Sequence, residues 1–191
     1  MIIEPRVKDY ICTSAHPVGC AESVRRQVEY TKSKAKLNGH KKVLVIGAST
    51  GYGLASRIAL AYRYDAATLG VAFEREAKGK RTATAGWYNT KAFEEEAKKD
   101  GLYAKSINGD AFSKEIKDQV IATIKEDLGK VDMVIYSLAA PRRTTSDGTT
   151  YVSALKTTNG VFTNKSLDLR NNTIISASVT EANEEEINST V

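Results

Sequence analysis

The segment Lys42-Val43-Leu44-Val45-Ile46-Gly47-Ala48-Ser49-Thr50-Gly51-Tyr52-Gly53-Leu54-Ala55 constrains the fold of this chain more than any other. A continuous apolar run, of the kind buried on both faces of a parallel sheet, meets a glycine-rich turn and then a helical pattern starting near Tyr52. Gly47, Gly51 and Gly53 follow the spacing G-x-x-x-G-x-G rather than the commoner G-x-G-x-x-G. Glycine serves such a turn by allowing positive φ, by admitting phosphate close to the backbone, and by letting helix pack tightly on strand. The first N–H groups of the helix then face the end of the strand, where the phosphates of a dinucleotide can sit.

The rest of the chain repeats the strand-then-helix pattern. Ahead of the glycine turn, Ala21, Val24, Val28 and Ala35 recur at helical spacing, which predicts an amphipathic helix over 21–36 ended by Asn38-Gly39. The helix after the turn is expected to reach Arg63, and a second apolar strand runs from Ala67 to Phe73. Gly86-Trp87-Tyr88-Asn89 reads as the end of a loop, with a helix from about Thr90 to Lys99 carrying Phe93 and Ala97 on one face. A third strand covers Leu102 to Ile107 and stops at Asn108-Gly109-Asp110. Ser113 caps a helix striped by Ile116, Val120, Ile124 and Leu128 and closed by Gly129, and a fourth strand spans Val131 to Leu138.

This alternation predicts an α/β fold: a Rossmann-like parallel sheet with helices on both faces, preceded by an N-terminal helical leader. Residues 142–180 are rich in Thr, Ser and Asn, with Asn159-Gly160 and Asn171-Asn172 as expected hairpin turns, and read as a small β-rich insertion near the C-terminal end. Asn183-Glu184-Glu185-Glu186 has the form of a capped helix start. The expected organisation is a leader over 1–41, a dinucleotide-binding core over 42–141, the insertion over 142–180 and a truncated helix over 181–191. A doubly wound sheet needs further strands, so the domain is expected to be incomplete, poorly stable on its own and exposed at its last sheet edge.

Composition narrows the partners. The net charge of +5 suits a surface that receives anionic ligands, but no block of Lys and Arg interleaved with aromatics points to nucleic acid. No apolar segment approaches the roughly 18 residues of a membrane-spanning helix, and the first residues lack the basic-then-apolar pattern of a signal peptide. A cytoplasmic protein is the expectation. Cys12, His16, Cys20 and His40 do not fall at usual zinc-ligand spacing, so reduced, unligated thiols are expected and no metal.

Ligands of such sheets bind at the carboxyl ends of the strands. Gly47, Ala48, Ser49, Thr50, Gly51 and Tyr52 form the phosphate turn, where the Ser49 and Thr50 hydroxyls either reach phosphate or stabilise the turn. Phe73 and Glu74 end the second strand. Glu74 is placed to accept the adenosine ribose hydroxyls and to repel a 2′-phosphate, favouring NADH over NADPH, while Arg75, Lys78 and Arg81 soften that preference. The alternative for Glu74 is a solvated strand-end charge. Asp110 is placed to accept from the adenine amino group with Ala111 beside the ring, a role compatible with an Asx cap. Leu138 and Ala139 either pass close to the nicotinamide ribose or merely pack.

Ala15-His16-Pro17-x-Gly19-Cys20, Gly47 to Arg57, Gly86-Trp87-Tyr88-Asn89, Gly109-Asp110-Ala111-Phe112-Ser113 and Tyr136-Ser137-Leu138-Ala139-Ala140-Pro141 occur in that order. With them the whole chain resembles the bacterial NADH-dependent trans-2-enoyl-CoA reductases, which overlap with the large enoyl-acyl-carrier-protein reductases of fatty-acid synthesis. The resemblance implies a longer enzyme, monomeric, in which NADH delivers hydride to the β-carbon of an enoyl thioester of CoA or acyl carrier protein. It also implies that residues 47–52, Phe73-Glu74, Asp110-Ala111 and Leu138-Ala139 bind the dinucleotide. The family's catalytic Tyr-x8-Lys pair is missing: none of the nine tyrosines has a lysine at that spacing. Tyr30-Lys34 matches the general short-chain dehydrogenase spacing but precedes the first sheet strand. The pair is therefore expected beyond Val191, and no catalytic residue is assigned here. Two other readings remain open at this point: a dinucleotide-binding module without catalysis, and a short-chain dehydrogenase acting on alcohols or ketones.

Overall fold

The computed structural model describes residues 2–8, 11–145 and 147–189, which form two compact units, Met1–Ala139 and Ala140–Val191. The first unit opens with a short antiparallel hairpin, β1 (Val7–Lys8) and β2 (Ile11–Cys12), and helix α1 (Pro17–Lys32). Then come β3 (Lys42–Ile46), α2 (Gly51–Tyr64), β4 (Ala67–Ala72), α3 (Ala85–Lys99) and β5 (Ala104–Asn108). Helix α4 (Lys114–Thr123) widens into a π-helical turn at Ile124–Leu128 before β6 (Met133–Tyr136). The sheet is wholly parallel in the order β5-β4-β3-β6, with Leu44 opposite both Leu69 and Val134. The chain steps outward from β3 to β5 and then returns to the other side of β3. The strand order therefore reverses beside the glycine turn, which is the point where such sheets open a ligand crevice.

Alternation along the strands divides the core. Val43 and Val45 pack with Leu60 and Ala66 on one face, while Leu44, Leu69, Val71 and Ile107 pack with Val120 and Leu128 of the α4 segment on the other. Over the first face, Val24 and Val28 of α1 close on Leu54, Ile58 and Tyr62 of α2 and on Phe93 of α3. Phe93 meets Tyr62 edge-on at 6.5 Å. The leader is thus a third helix in that layer. The β6 edge of the sheet exposes Val134 and Tyr136.

One buried cation sits among these apolar side chains. Arg57 of α2 is fully buried and donates to the Thr68 hydroxyl at 3.2 Å, Ser106 Oγ at 2.7 Å and the carbonyls of Lys105 at 2.6 Å and Thr68 at 3.3 Å. Its guanidinium lies 4.8 Å over the Phe93 ring. A Cβ on Gly70 would fall 2.5 Å from Arg57 Nη1, so the bare strand residue makes the room. Burial pulls the pKa of Arg57 down to about 10, which leaves it charged at neutral pH and tying α2 to β4 and β5.

The second unit contains two antiparallel hairpins, β7 (Arg142–Thr144) with β8 (Thr150–Val152) and β9 (Phe162–Asp168) with β10 (Thr173–Val179), followed by α5 (Glu184–Ser189). A reciprocal capping box starts α5: Asn183 Oδ1 accepts from Glu186 N–H at 2.8 Å, and Glu186 Oε2 from Asn183 N–H at 3.1 Å.

Several sequence expectations need correction. The leader helix begins four residues early, because Pro17 starts it and His16 Nδ1 accepts from Gly19 N–H at 3.2 Å. It ends at Lys32, and Gly39 is not its stop: a Cβ there would lie 2.8 Å from the Tyr64 ring, so this glycine permits a close approach. Trp87, Tyr88 and Asn89 belong to the start of α3 and not to a loop. Leu102 precedes β5, its N–H closing the end of α3 on the Ala97 carbonyl at 2.9 Å. The fourth strand is shorter than expected, and the helix before it is not α-helical to its end. Asn171-Asn172 does turn β9 into β10, with Asn172 at φ +51°. Asn159-Gly160 does not join paired strands; it lies between an isolated bridge at Thr157 and the start of β9. The β1–β2 hairpin was not anticipated.

Candidate functional site

At the end of β3 the chain turns under β4: the N–H groups of Gly47 and Ala48 both reach the Val71 carbonyl, at 2.9 and 3.0 Å. Gly47 has φ +84°, and a Cβ on it would fall 2.0 Å from the Ser137 carbonyl oxygen just past β6. Two strand ends meet here only because this residue has no side chain. A Cβ on Gly53 would strike the Gly47 carbonyl at 1.9 Å, so α2 starts as close to the turn as backbone permits. Gly51 differs. It has φ +53° with nothing within 4 Å of its would-be Cβ, so it borders open space.

That open space faces unspent donors. Thr50 occupies the N-cap position of α2 without a side-chain capping bond. The first α2 residue whose N–H is taken up is Leu54, by the Thr50 carbonyl at 3.2 Å; the N–H groups of residues 49–52 have no acceptor among the described residues. Free amide donors at the positive end of a 14-residue helix make an anion site. Thr50 and Tyr52 are exposed, Tyr52 at 89 %, whereas Ala48 and Ser49 are buried.

The Ser49 hydroxyl does not face that space. It donates to Glu74 Oε1 at 2.5 Å. Glu74 follows β4, and its backbone is pinned by Asn108 at the end of β5: Asn108 Oδ1 accepts from Glu74 N–H at 2.7 Å, and Nδ2 donates to the Glu74 carbonyl at 2.9 Å. A Cβ on Gly86 would lie 2.0 Å from Glu74 Oε1. The first turn of α3 is therefore cut away to admit the carboxylate, and the helix's free amide end favours its charge. Asn89, one turn further, donates to the Ser49 carbonyl at 3.1 Å. Glu74 is thus a fixed, half-buried group and not a solvated strand-end charge.

The other expected contacts are distributed around this centre. Phe73 is 77 % exposed beside Glu74. Asp110 Oδ1 accepts from Phe112 N–H at 2.9 Å in an Asx turn, and the Asp110 carbonyl accepts the Ser113 hydroxyl at 2.8 Å; the second carboxylate oxygen has no hydrogen-bond donor among the described residues. Ala111 packs into the apolar cluster under α4, which gives it a core role. Leu138 is half-buried, its N–H nitrogen 3.1 Å from where a Gly47 Cβ would stand, and Ala139 is exposed. The structure brings together residues 47–52, 73–74 and 138 and leaves Asp110 on the β5 side. Sequence reasoning missed Gly86, Asn89 and Asn108 as site residues, although all three lie inside segments it had noted.

Tyr30 and Lys34 sit on or just after α1, the ammonium 4.4 Å over the exposed ring. They are remote in sequence and element from the turn. Among the described residues no group of three His, Cys, Asp or Glu side chains is arranged to hold a metal ion, and no helix is long and apolar enough to cross a membrane.

Residues 2–79 match the family model described as the NAD(P)H binding domain of trans-2-enoyl-CoA reductase, and residues 81–191 match the trans-2-enoyl-CoA reductase catalytic region. The Enoyl-[acyl-carrier-protein] reductase [NADH] of Flavobacterium johnsoniae is 57 % identical, aligned over 100 % of this chain and 48 % of its own. The Trans-2-enoyl-CoA reductase [NADH] of Ruminiclostridium cellulolyticum is 54 % identical, over 100 % and 49 % respectively. The crystal structure of Clostridium acetobutulicum trans-2-enoyl-CoA reductase in complex with NADH superposes with a TM-score of 0.90 at 44 % identity, covering 100 % of this chain and 48 % of that one. The Treponema denticola trans-2-enoyl-CoA reductase in complex with NAD gives 0.89 at 47 % identity, covering 100 % and 49 %. The chain spans about half the length of the curated relatives it matches. On these matches, the chain belongs to the trans-2-enoyl-CoA reductase family.

Proposed function

We propose that this chain is the NADH-holding, N-terminal part of an oxidoreductase that reduces the carbon–carbon double bond of a trans-2-enoyl thioester of CoA or acyl carrier protein. The observation that carries the reading is the uncapped N-terminus of α2, with open space at Gly51 and a fixed carboxylate at Glu74 alongside. When bound, NADH supplies the hydride for the β-carbon. The chain's own residues bind and orient.

The N–H groups of residues 49–52 hold the pyrophosphate, and Gly51 leaves the room for it. Glu74 accepts the adenosine ribose hydroxyls with its remaining lone pairs, and its charge disfavours a 2′-phosphate. The open Asp110 oxygen takes the adenine amino group, and Phe73 offers an apolar surface to the base. Leu138 and Ala139, beside Gly47 at the point where the strand order reverses, border the nicotinamide end. No tyrosine of this chain is assigned as proton donor.

The test is calorimetric titration with NADH and NADPH of the protein and of Glu74→Ala. The reading expects saturable NADH binding and a preference for NADH over NADPH that shrinks at least tenfold in the variant. Equal discrimination by both proteins would show that this carboxylate does not face the ribose.

A further inference from the structure

The parallel register sets two carboxylates side by side at the carboxyl end of the sheet. Ala72 of β4 stands opposite Asn108 of β5 as the last paired position, and Gly109 N–H donates to the Ala72 carbonyl at 2.7 Å. Glu74 and Asp110 each lie two residues past that pair, on neighbouring strand ends. Each has one carboxylate oxygen engaged within the protein, Glu74 Oε1 by the Ser49 hydroxyl and Asp110 Oδ1 by Phe112 N–H. Their other oxygens have no donor among the described residues.

At Glu74 the main chain has left the sheet. No backbone group pairs with it there, and among the described residues its main-chain hydrogen bonds all come from one side chain. Asn108 Oδ1 accepts from Glu74 N–H at 2.7 Å, and Asn108 Nδ2 donates to the Glu74 carbonyl at 2.9 Å. A carboxamide carries donor and acceptor on one planar group, as a peptide does, so Asn108 adds a rung that the β5 backbone does not supply. The reversed carboxamide would set amine against N–H and oxygen against carbonyl, so the two partners fix its orientation. Leucine has nearly the same shape with neither donor nor acceptor.

The rung bears on a ligand more than on the core. Asn108 is exposed, at the end of the edge strand, so water replaces its bonds when the carboxamide is removed and the packed sheet is left as it is. The Glu74 carboxylate, in contrast, hangs from the braced main chain on a flexible side chain. A small rotation of that main chain is carried out to the carboxylate, and a hydrogen bond weakens steeply with misalignment. The same brace fixes Glu74 relative to Asp110, which follows Asn108 by two residues on the same strand end.

We infer that Asn108 is a positioning residue for the adenosine half of the dinucleotide. By bracing the Glu74 main chain from β5, it sets the spacing between the carboxylate that takes the ribose hydroxyls and the Asp110 carboxylate that takes the adenine amino group. Asn108 acts through Glu74 and not on the ligand. For the ligand the inference rests on the dinucleotide reading above, and it adds a residue to which that reading gives no part.

The experiment is a double-mutant cycle read by calorimetric titration with NADH and NADPH. It uses the protein, Asn108→Ala, Glu74→Ala and Glu74→Ala/Asn108→Ala, with Asn108→Leu as a second, uncharged variant of similar shape and circular dichroism as the check on folding. Asn108→Ala and Asn108→Leu are each expected to lower the preference for NADH over NADPH about fivefold, the factor that one lost hydrogen bond carries. In the Glu74→Ala background, Asn108→Ala should change the preference by less than about twofold, because the carboxylate it positions is gone. A residue that only closes the strand end would lower Tm and leave the preference alone. A parent-like preference in the Asn108 variants, or an equal loss with and without Glu74, overturns the inference. An undiminished preference in Glu74→Ala is a different failure: it removes the ribose contact of the dinucleotide reading, and the inference falls with it.

Discussion

Gly86→Ala tests whether the Glu74 carboxylate depends on the space cut from the first turn of α3. The new methyl would stand 2.0 Å from Glu74 Oε1, 2.4 Å from its Cδ and 2.8 Å from Ser49 Cβ. An ordinary contact needs more than an ångström of additional separation, so the carboxylate must swing out and its bond from Ser49 Oγ must break. A hydrogen bond to a charged group contributes about 1.5–3 kcal/mol, and the lower figure applies because half-exposed Glu74 regains water. Alanine in place of glycine returns up to about 1 kcal/mol of helix propensity, less in a first turn. The net loss is about 1 kcal/mol, which for a chain of this size lowers Tm by about 2–4 °C. On the proposed reading the effect on the ligand is larger: the ribose would lose its acceptor, and the NADH preference over NADPH is expected to fall at least tenfold. Scanning calorimetry and paired NADH and NADPH titrations read both numbers. Unchanged melting together with unchanged discrimination would refute the reasoning.

Gly51→Val should leave the fold intact, since a Cβ there has no tertiary neighbour within 4 Å, at a cost of about 1–2 kcal/mol for placing a branched residue at positive φ. It should abolish NADH binding with unchanged circular dichroism; retained affinity would separate the helix end from the phosphates. Arg57→Met removes four hydrogen bonds made by a buried charge but also removes the charge's desolvation penalty, for a net loss of about 2 kcal/mol and about 4–8 °C. A methionine variant that melts above the parent would show that the buried cation is a net cost. Asp132 accepts the N–H groups of Lys41 and Lys42 at 3.0 and 3.2 Å, and these bonds, with His40 nearby, hold its carboxyl below the usual range. A folded-state pKa below the unfolded value gives stability that is present above about pH 4 and lost as pH falls through the folded value. The Tm gap between the parent and Asp132→Asn should therefore narrow as pH falls below 4; a gap that does not narrow there would remove Asp132 from the acid response.

The parts of this structure legible in the sequence are those that repeat at short range. The Lys42–Ile46 run, the glycine turn and the stripe of α2 state one another's boundaries, because each glycine answers a local backbone demand. What was misread depends on atoms distant along the chain. Gly86 reads as a helix breaker in a linear pattern, yet it sits inside α3 because a carboxylate from Glu74 fills the missing side chain's place. Asn108 looks like a turn residue after a strand, and only the sheet brings its amide against the Glu74 backbone. Arg57 interrupts an apolar helix face, and it is buried because Gly70, Thr68 and Ser106 on two neighbouring strands leave it room and acceptors. The β1–β2 hairpin has two-residue strands, too short for any periodic signal.

The most direct test of the central claim is a crystal structure of this protein with NADH. The account predicts pyrophosphate oxygens within hydrogen-bonding distance of the N–H groups of residues 49–52, with the adenosine ribose hydroxyls on the Glu74 carboxylate. A dinucleotide bound elsewhere, or one whose ribose turns away from Glu74, would contradict it.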